Sequence, residues 1–232
     1  MRPRRSSVAA RPGYAVLARA RDILVAAVLL VLLSPLILAV AIAVRARMGR
    51  PVLFRQVRAG IDGRPFRMLK FRTMLEATGP DGRPLDDAER LTRLGEFLRG
   101  WSLDELPQLV NVLRGDMSLV GPRPLYLDYI PLYSPEQARR LLVRPGITGL
   151  AQVRGRNGLS WEDKFAYDTY YVGSRSTLGD VKILALTAVR VVQRGGVSAD
   201  GHATAPWFTG SPPDEALPAM QGAHRTLEDG ER

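Results

Sequence analysis

The chain has 232 residues, with 33 Lys plus Arg against 23 Asp plus Glu, a formal net charge of +10, no cysteine and only two histidines, His202 and His224. Disulfides, thiolate nucleophiles and cysteine-based zinc sites are thereby excluded, and zinc or histidine-triad chemistry is a poor fit because both histidines fall near the C-terminal end. Carboxylates, hydroxyls and three lysines (Lys70, Lys164 and Lys182) remain for acid, base or nucleophile work, and the arginine excess calls for an anionic partner such as phosphate, nucleic acid or an acidic membrane surface.

Residues 1–12 are rich in Arg, Pro and Ser and read as a basic, unfolded N-terminus at a membrane surface. Residues 13–22 read as an amphipathic lead-in to an uncharged run from Ile23 to Val44, interrupted only at Ser34-Pro35. As a straight helix that run would reach about 33 Å, enough for a bilayer core of about 30 Å. It is too long for a secretory signal core and leads into Arg45, Arg47 and Arg50 rather than a cleavage site. Arg11, Arg19 and Arg21 flank one end and Arg45, Arg47, Arg50, Arg55 and Arg58 the other, so the positive-inside rule assigns both ends to the cytoplasm. A straight span cannot satisfy that. A break at Pro35, with the Ser34 hydroxyl serving the freed backbone, would return the chain to the face it entered. An ordinary kinked transmembrane helix is the competing reading, and residues 13–50 are taken as the membrane-associated segment.

Two short strands are expected around Gly60-Ile61-Asp62-Gly63, in 51–75, followed by a loop over 76–88. Helical spacing predicts helices near 87–99, 103–114, 135–142 and 160–172, with Ser102, Ser134 and Ser160 as start residues. A further helix from Leu178 to Val192 has an apolar stripe that would either pack on the core or lie in a lipid interface. Residues 197–232, Pro and Gly rich and acidic, are expected to be a disordered tail. The fold class is α-rich α+β: one membrane-associated domain with a Pro-broken re-entrant helix, a small β-hairpin and surface amphipathic helices, its catalytic region at 51–196.

The densest chemical text is Ser102-Leu103-Asp104-Glu105-Leu106-Pro107-Gln108. Adjacent carboxylates beside apolar residues are costly to bury unless cations offset them. An ionised Asp104 could act as a nucleophile while Glu105 holds a divalent cation, since Mg²⁺ takes one or two carboxylates plus substrate phosphates. The bland alternative is a capping box between Ser102 and Glu105. Lys70 and Arg72 share one face of an expected strand, Arg123 stands between Pro122 and Pro124, and Arg144 precedes Pro145-Gly146. Cations presented in this way beside an acidic pair suit a diphosphate. Asp168, by spacing alone, is a polar position beside an aromatic helix face.

Ser34-Pro35, KFRTM at 70–74, DELPQ at 104–108, NVLRGDMSLVGPRP at 111–124 and RPGITGLAQ at 144–152 together resemble the bacterial sugar transferase family, the monotopic phosphoglycosyl transferases, over about residues 19–192. The resemblance implies transfer of a sugar-1-phosphate from a UDP-sugar to polyprenyl (undecaprenyl) phosphate with release of UMP, as an early membrane step of glycan assembly, at the cytoplasmic face of the bacterial inner membrane. It implies that Asp104 forms a phosphosugar-enzyme and that Glu105, with Asp104, binds Mg²⁺. Lys70, Arg72, Arg123 and Arg144 match motif cations assigned to phosphate, and Asp168 matches an Asp of the later helix, assigned to substrate binding. The segment 155–165 is closer to members acting on N-acetylated amino sugars. A non-catalytic, anionic-lipid-binding membrane scaffold is the alternative of a different class. A nucleic-acid partner is disfavoured because the aromatics are not interleaved with cations and the apolar run would be unexplained.

Overall fold

The computed structural model describes residues 12–78, 85–155, 158–193 and 207–210. Expectations for residues 1–11, for the loop core at 79–84 and for most of the tail lie outside the described residues. Helix α1 (Pro12–Leu32) absorbs the lead-in and the first half of the apolar run, and α2 (Ser34–Met48) takes the second. The two are bent by 63° at the Ser34-Pro35 break. Pro35 has no N–H to offer the carbonyl four residues back, and the Ser34 hydroxyl donates to that same Val31 oxygen at 2.7 Å. Among the described residues no single helix is long and apolar enough to cross a membrane, and only the bent pair together passes in length and composition.

One side of the bent pair packs on the body. Ala26 is buried with Leu109, Val112, Met117 and Ile183, while Val40, Val44 and Met48 share a second cluster with Phe71 and Leu98, edged by Leu53, Leu103 and Leu106. The other side exposes Leu24, Val28, Val31, Leu32, Leu38 and Ile42. Such a contiguous apolar surface is unusual where water is the only neighbour.

Strands β1 (Leu53–Ala59) and β2 (Pro65–Phe71) form the expected antiparallel hairpin, with Leu53 opposite Phe71 and Ala59 opposite Pro65. Asp62, at φ +55°, supplies the left-handed turn residue, a conformation Asp tolerates. The outer edge of β2 is closed by one side chain: the Asn111 carboxamide accepts from the Leu69 N–H at 3.0 Å and donates to the Arg67 carbonyl at 2.8 Å, replacing a third strand.

The helix expected over 87–99 is two pieces, α3 (Asp87–Arg90) and α4 (Arg93–Gly100). Leu91 is extended and bridges Met74, and the Thr92 hydroxyl caps α4 by accepting from the Gly95 N–H at 2.9 Å. That over 103–114 is a 3₁₀ turn at Leu103–Glu105 followed by α5 (Gln108–Arg114), with Pro107 between them lacking the N–H that would continue one ladder. Residues 137–142 form a 3₁₀ segment, led by a reciprocal box in which Ser134 Oγ accepts from Gln137 N–H and Gln137 Oε1 accepts from Ser134 N–H.

Strands β3 (Ser118–Val120) and β4 (Gly146–Thr148) pair in parallel, lacing the 121–124 and 144–149 motifs together. The approach is so close that a Cβ on Gly146 would stand 2.1 Å from the Gly121 nitrogen, so only glycine fits there. Short α6 (Leu150–Arg154) leads to α7 (Trp161–Ser174), capped by Ser160 accepting from Asp163 N–H, and α8 (Thr177–Gln193) closes the body. Helix α8 buries Asp180 and Ile183 and packs Leu184 on the main core, while Leu178, Val181, Val189 and Val192 of its apolar stripe stay outside.

The tail requires a correction. Trp207–Gly210 belong to the folded body, and Phe208 is 1% exposed in a cage of Tyr129, Tyr133, Trp161 and Phe165, with ring centroids 5.0–6.1 Å from its own. Burial of one aromatic side chain outweighs the Pro and Gly content that predicted disorder.

Candidate active site

Four side chains from three parts of the chain converge. After α4, Ser102 adopts φ +56° and turns the backbone, and the 3₁₀ turn pushes Leu103 and Leu106 into the α2 cluster while carrying Asp104 and Glu105 inward. The expected Ser102 cap is absent, because the left-handed backbone makes no side-chain cap hydrogen bond. Glu105 turns instead to cations. Lys70 Nζ, delivered by β2, donates to Glu105 Oε1 at 2.7 Å, and Arg123 Nη2 donates to the same oxygen at 3.2 Å. Lys70 Nζ stands 3.8 Å from Asp104 Oδ2, beyond hydrogen-bond range.

The two carboxyls are driven apart electrostatically. Burial pushes Asp104 up, to about 6, against the pull of Lys70 and with a further push from Glu105; Arg99 and Arg123 also oppose it. Burial acts upward on Glu105 too, but Lys70 and Arg123 outweigh it and hold that carboxyl low, at about 2. Glu105 is therefore the fixed anion of the site and Asp104 the less committed group.

The remaining sequence-predicted residues stand elsewhere. Asp168 is buried on α7, where Arg140 Nε and Nη2 donate to its Oδ2 at 3.1 and 2.8 Å. The same Arg140 Nη2 donates to the Arg123 carbonyl at 2.6 Å, so Asp168 braces from behind the loop whose side chain grips Glu105. Arg72 is buried and donates to the Arg50 carbonyl at 3.0 Å, tying β2 to the end of α2. Arg144 is exposed and donates to the Gly115 carbonyl at 2.9 Å, at the C-terminal end of α5, whereas the acidic pair precedes its N-terminal end. Arg140 and Arg99 were missed by sequence reasoning. Nothing local marks Arg140, since its carboxylate partner lies 28 residues away.

Among the described residues no group of three or more His, Asp or Glu side chains converges on one point. Two adjacent carboxylates, one with an oxygen already held by cations, match a hard cation whose coordination is completed by water and substrate phosphate rather than by a protein cage.

Residues 13–194 match the bacterial sugar transferase family. An uncharacterized sugar transferase EpsL of Bacillus subtilis (strain 168) is 50% identical over 196 residues, covering 84% of this chain and 97% of that protein. A UDP-glucose:undecaprenyl-phosphate glucose-1-phosphate transferase of Caulobacter vibrioides is 46% identical over 179 residues, covering 73% of this chain and 67% of that protein. The exopolysaccharide production protein ExoY of Sinorhizobium fredii is 40% identical over 196 residues, covering 77% of this chain and 87% of that protein. With more than half its length inside the family match, the chain belongs to the bacterial sugar transferase family and is an enzyme of the phosphoglycosyl transferase kind.

Proposed function

We propose that this enzyme moves a sugar-1-phosphate from a UDP-sugar to polyprenyl phosphate through a covalent intermediate on Asp104, at the cytoplasmic face of the bacterial inner membrane. The observation that carries the reading is the asymmetry of the acidic pair: Glu105 is gripped by Lys70 and Arg123, while Asp104, buried beside it, has its lysine neighbour at 3.8 Å. A nucleophile needs lone pairs that are not all engaged by donors.

An Asp104 carboxylate oxygen attacks the sugar-bearing phosphorus of the donor. The bond from Asp104 oxygen to phosphorus forms as the bond from phosphorus to the UMP oxygen breaks, and UMP leaves. A phosphate oxygen of polyprenyl phosphate then attacks the same phosphorus and releases the Asp104 carboxylate, leaving a diphosphate-linked lipid sugar. Lys70 and Arg123 stand where they can offset charge on the transferred phosphoryl oxygens, with Glu105 fixing both cations in place. Asp104 and Glu105 would hold a Mg²⁺ that, when bound, neutralises diphosphate charge. Asp168 and Arg140 hold the Arg123 backbone still.

The bent α1–α2 pair is read as a re-entrant membrane element. Support comes from its two ends meeting the same body: Arg19 Nη1 donates to the Val112 carbonyl at 2.6 Å, and Val44 and Met48 pack with Phe71 and Leu98. The apolar outer sides of α1, α2 and α8 would then rest in lipid, close to an acceptor whose tail stays there.

The test is release of UMP by the purified full chain given polyprenyl phosphate, Mg²⁺ and a donor panel. UDP-glucose, the donor in the name of the Caulobacter relative, and UDP-linked N-acetylated amino sugars, suggested by 155–165, head that panel. One donor is expected to release UMP, and without acceptor it should leave a phosphosugar on the protein that Asp104→Asn does not retain. No release with any donor would leave the lipid-binding scaffold as the better account, and full turnover by Asp104→Asn would remove the covalent step.

A further inference from the structure

Beside the hairpin lies an open cleft of about 430 Å³, lined by Leu53, Arg55, Arg67, Leu69, Val110 and Arg114. Along β2, Arg67 and Leu69 alternate with Lys70, so the cleft opens on the hairpin face opposite the Lys70–Glu105 contact. Asn111 seats α5 against the strand edge, which brings Val110 and Arg114, one turn apart, to the rim. Arg55 lies opposite Leu69 and Val57 opposite Arg67, so Arg55 and Arg67 are diagonal neighbours on one face. None of the three arginines makes an ion pair or side-chain hydrogen bond among the described residues, all three are exposed, and the lining contains no acid. Three like charges around an apolar floor repel one another, which costs stability unless an anion joins them.

The position of the cleft says which anion. Leu53, on its floor, also packs into the cluster of Val40, Val44 and Met48 on α2, and Arg45 and Arg47 stand exposed in the last turn of α2. The cleft thus adjoins the foot of the membrane helix pair, where apolar helix gives way to cations. That is the depth at which a lipid presents its phosphate above its acyl chains.

We propose that this cleft is a second anion site, separate from the acidic pair, that takes the phosphate of an acidic phospholipid of the surrounding leaflet. Arg55, Arg67 and Arg114 bind the phosphate oxygens, and Leu53, Leu69 and Val110 meet the upper part of the acyl chains. A bound lipid would tie the hairpin that carries Lys70 to the helix that follows Asp104 and Glu105. The inference rests on α1–α2 lying in the bilayer interface, but not on the chemistry of Asp104.

Its test is a binding measurement without turnover. The full chain in neutral detergent micelles is titrated with phosphatidylglycerol, phosphatidylcholine or inorganic phosphate, and the rise in Tm is followed. Phosphatidylglycerol alone should raise Tm, and apparent affinity should fall roughly five-fold per arginine removed across Arg55→Gln, Arg67→Gln and Arg114→Gln. Arg93→Gln, an exposed arginine on α4, is the charge-matched control and should keep the full response. An unchanged response in the triple variant overturns the site. So does an equal loss in Arg93→Gln, which would mean diffuse surface charge, or an equal shift with inorganic phosphate, which would mean a site for soluble anions. If the triple variant does not fold, Arg55→Gln alone must show the single step, and a full response in it also overturns the proposal. Because Asp104→Asn should keep the lipid response, failure here and failure of the transferase mechanism are separable.

Discussion

Asp180 and Asp104 are both buried aspartates, and they are treated in opposite ways. Asp180 Oδ2 accepts from Tyr14 at 2.8 Å and Arg21 at 2.7 Å, and the Tyr171 hydroxyl sits 2.9 Å from its Oδ1. Arg21 also holds Asp22, whose other oxygen accepts from Ser118. That network, in which Asp180 accepts from three side chains, pins α1 to α7, α8 and β3. Asp104 has Lys70 at 3.8 Å and a second carboxylate beside it. Burial alone therefore does not mark a reactive carboxylate. What separates the two is how many donors have already claimed their oxygens, and the proposed nucleophile is the one with fewer.

The largest expected effect that tests this contrast is Asp104→Asn. Turnover should fall on the order of 10⁴-fold or more, because the leaving and attacking steps both need the carboxylate. Folding should be unharmed. Since burial favours the protonated form of Asp104, the fold holds that proton more tightly than the unfolded chain does, and the stability it contributes is lost as pH rises through about 6. Thermal melts of wild type and Asp104→Asn should accordingly diverge as pH rises from about 4 to about 6 and keep that separation above it, with the variant the more stable there. A wild type that gains on the variant as pH rises would contradict the assignment.

Asp180→Asn should do the reverse, costing about 2 to 3 kcal/mol in urea unfolding because the half-buried Arg21 keeps only Asp22 as a carboxylate partner. Turnover per folded molecule should change little. Loss of turnover with stability intact would show that Asp180 belongs with the site. Phe208→Ala comes next: emptying the aromatic cage should cost about 3 kcal/mol, measured by the same melts. A cost near zero would mean that the tail residues do not depend on the cage. The smallest expected effect is Ser34→Ala, about 1 kcal/mol from an unpaired Val31 carbonyl, with activity retained.

Much of the site was legible because its chemistry is written in contiguous residues. The acidic pair, the hairpin that carries Lys70, the Pro-framed Arg123 and the Ser34-Pro35 break all follow from short-range rules of charge, alternation and proline geometry. Arg72 and Arg144 show the limit of that method. Each reads as a phosphate-facing cation in its motif, and the fold adds a contact that the motif does not announce: Arg72 Nη1 donates to the Arg50 carbonyl and Arg144 Nε to the Gly115 carbonyl, each leaving other N–H groups of the guanidinium uncommitted to those carbonyls. Ser102 makes no side-chain cap because the αL turn that packs Leu103 and Leu106 against the α2 cluster overrides the local preference of a hydroxyl ahead of a helix. The reading of the tail as disordered missed Phe208, because composition averages over a segment whereas a single ring can find a cage built from residues 129–165.

The amino-acid order by itself determined the element types, the break in the apolar run, the surplus of cations and the candidate acidic pair, since each depends on residues within a few positions of one another. Which carboxylate is held by cations and which has its lysine neighbour farther off, which arginine reaches the acidic pair and which donate to backbone carbonyls, and where Phe208 lodges were decided by tertiary contacts. These depend on donors brought together from 18 to more than 150 residues away, and only packing sets the distance between such groups.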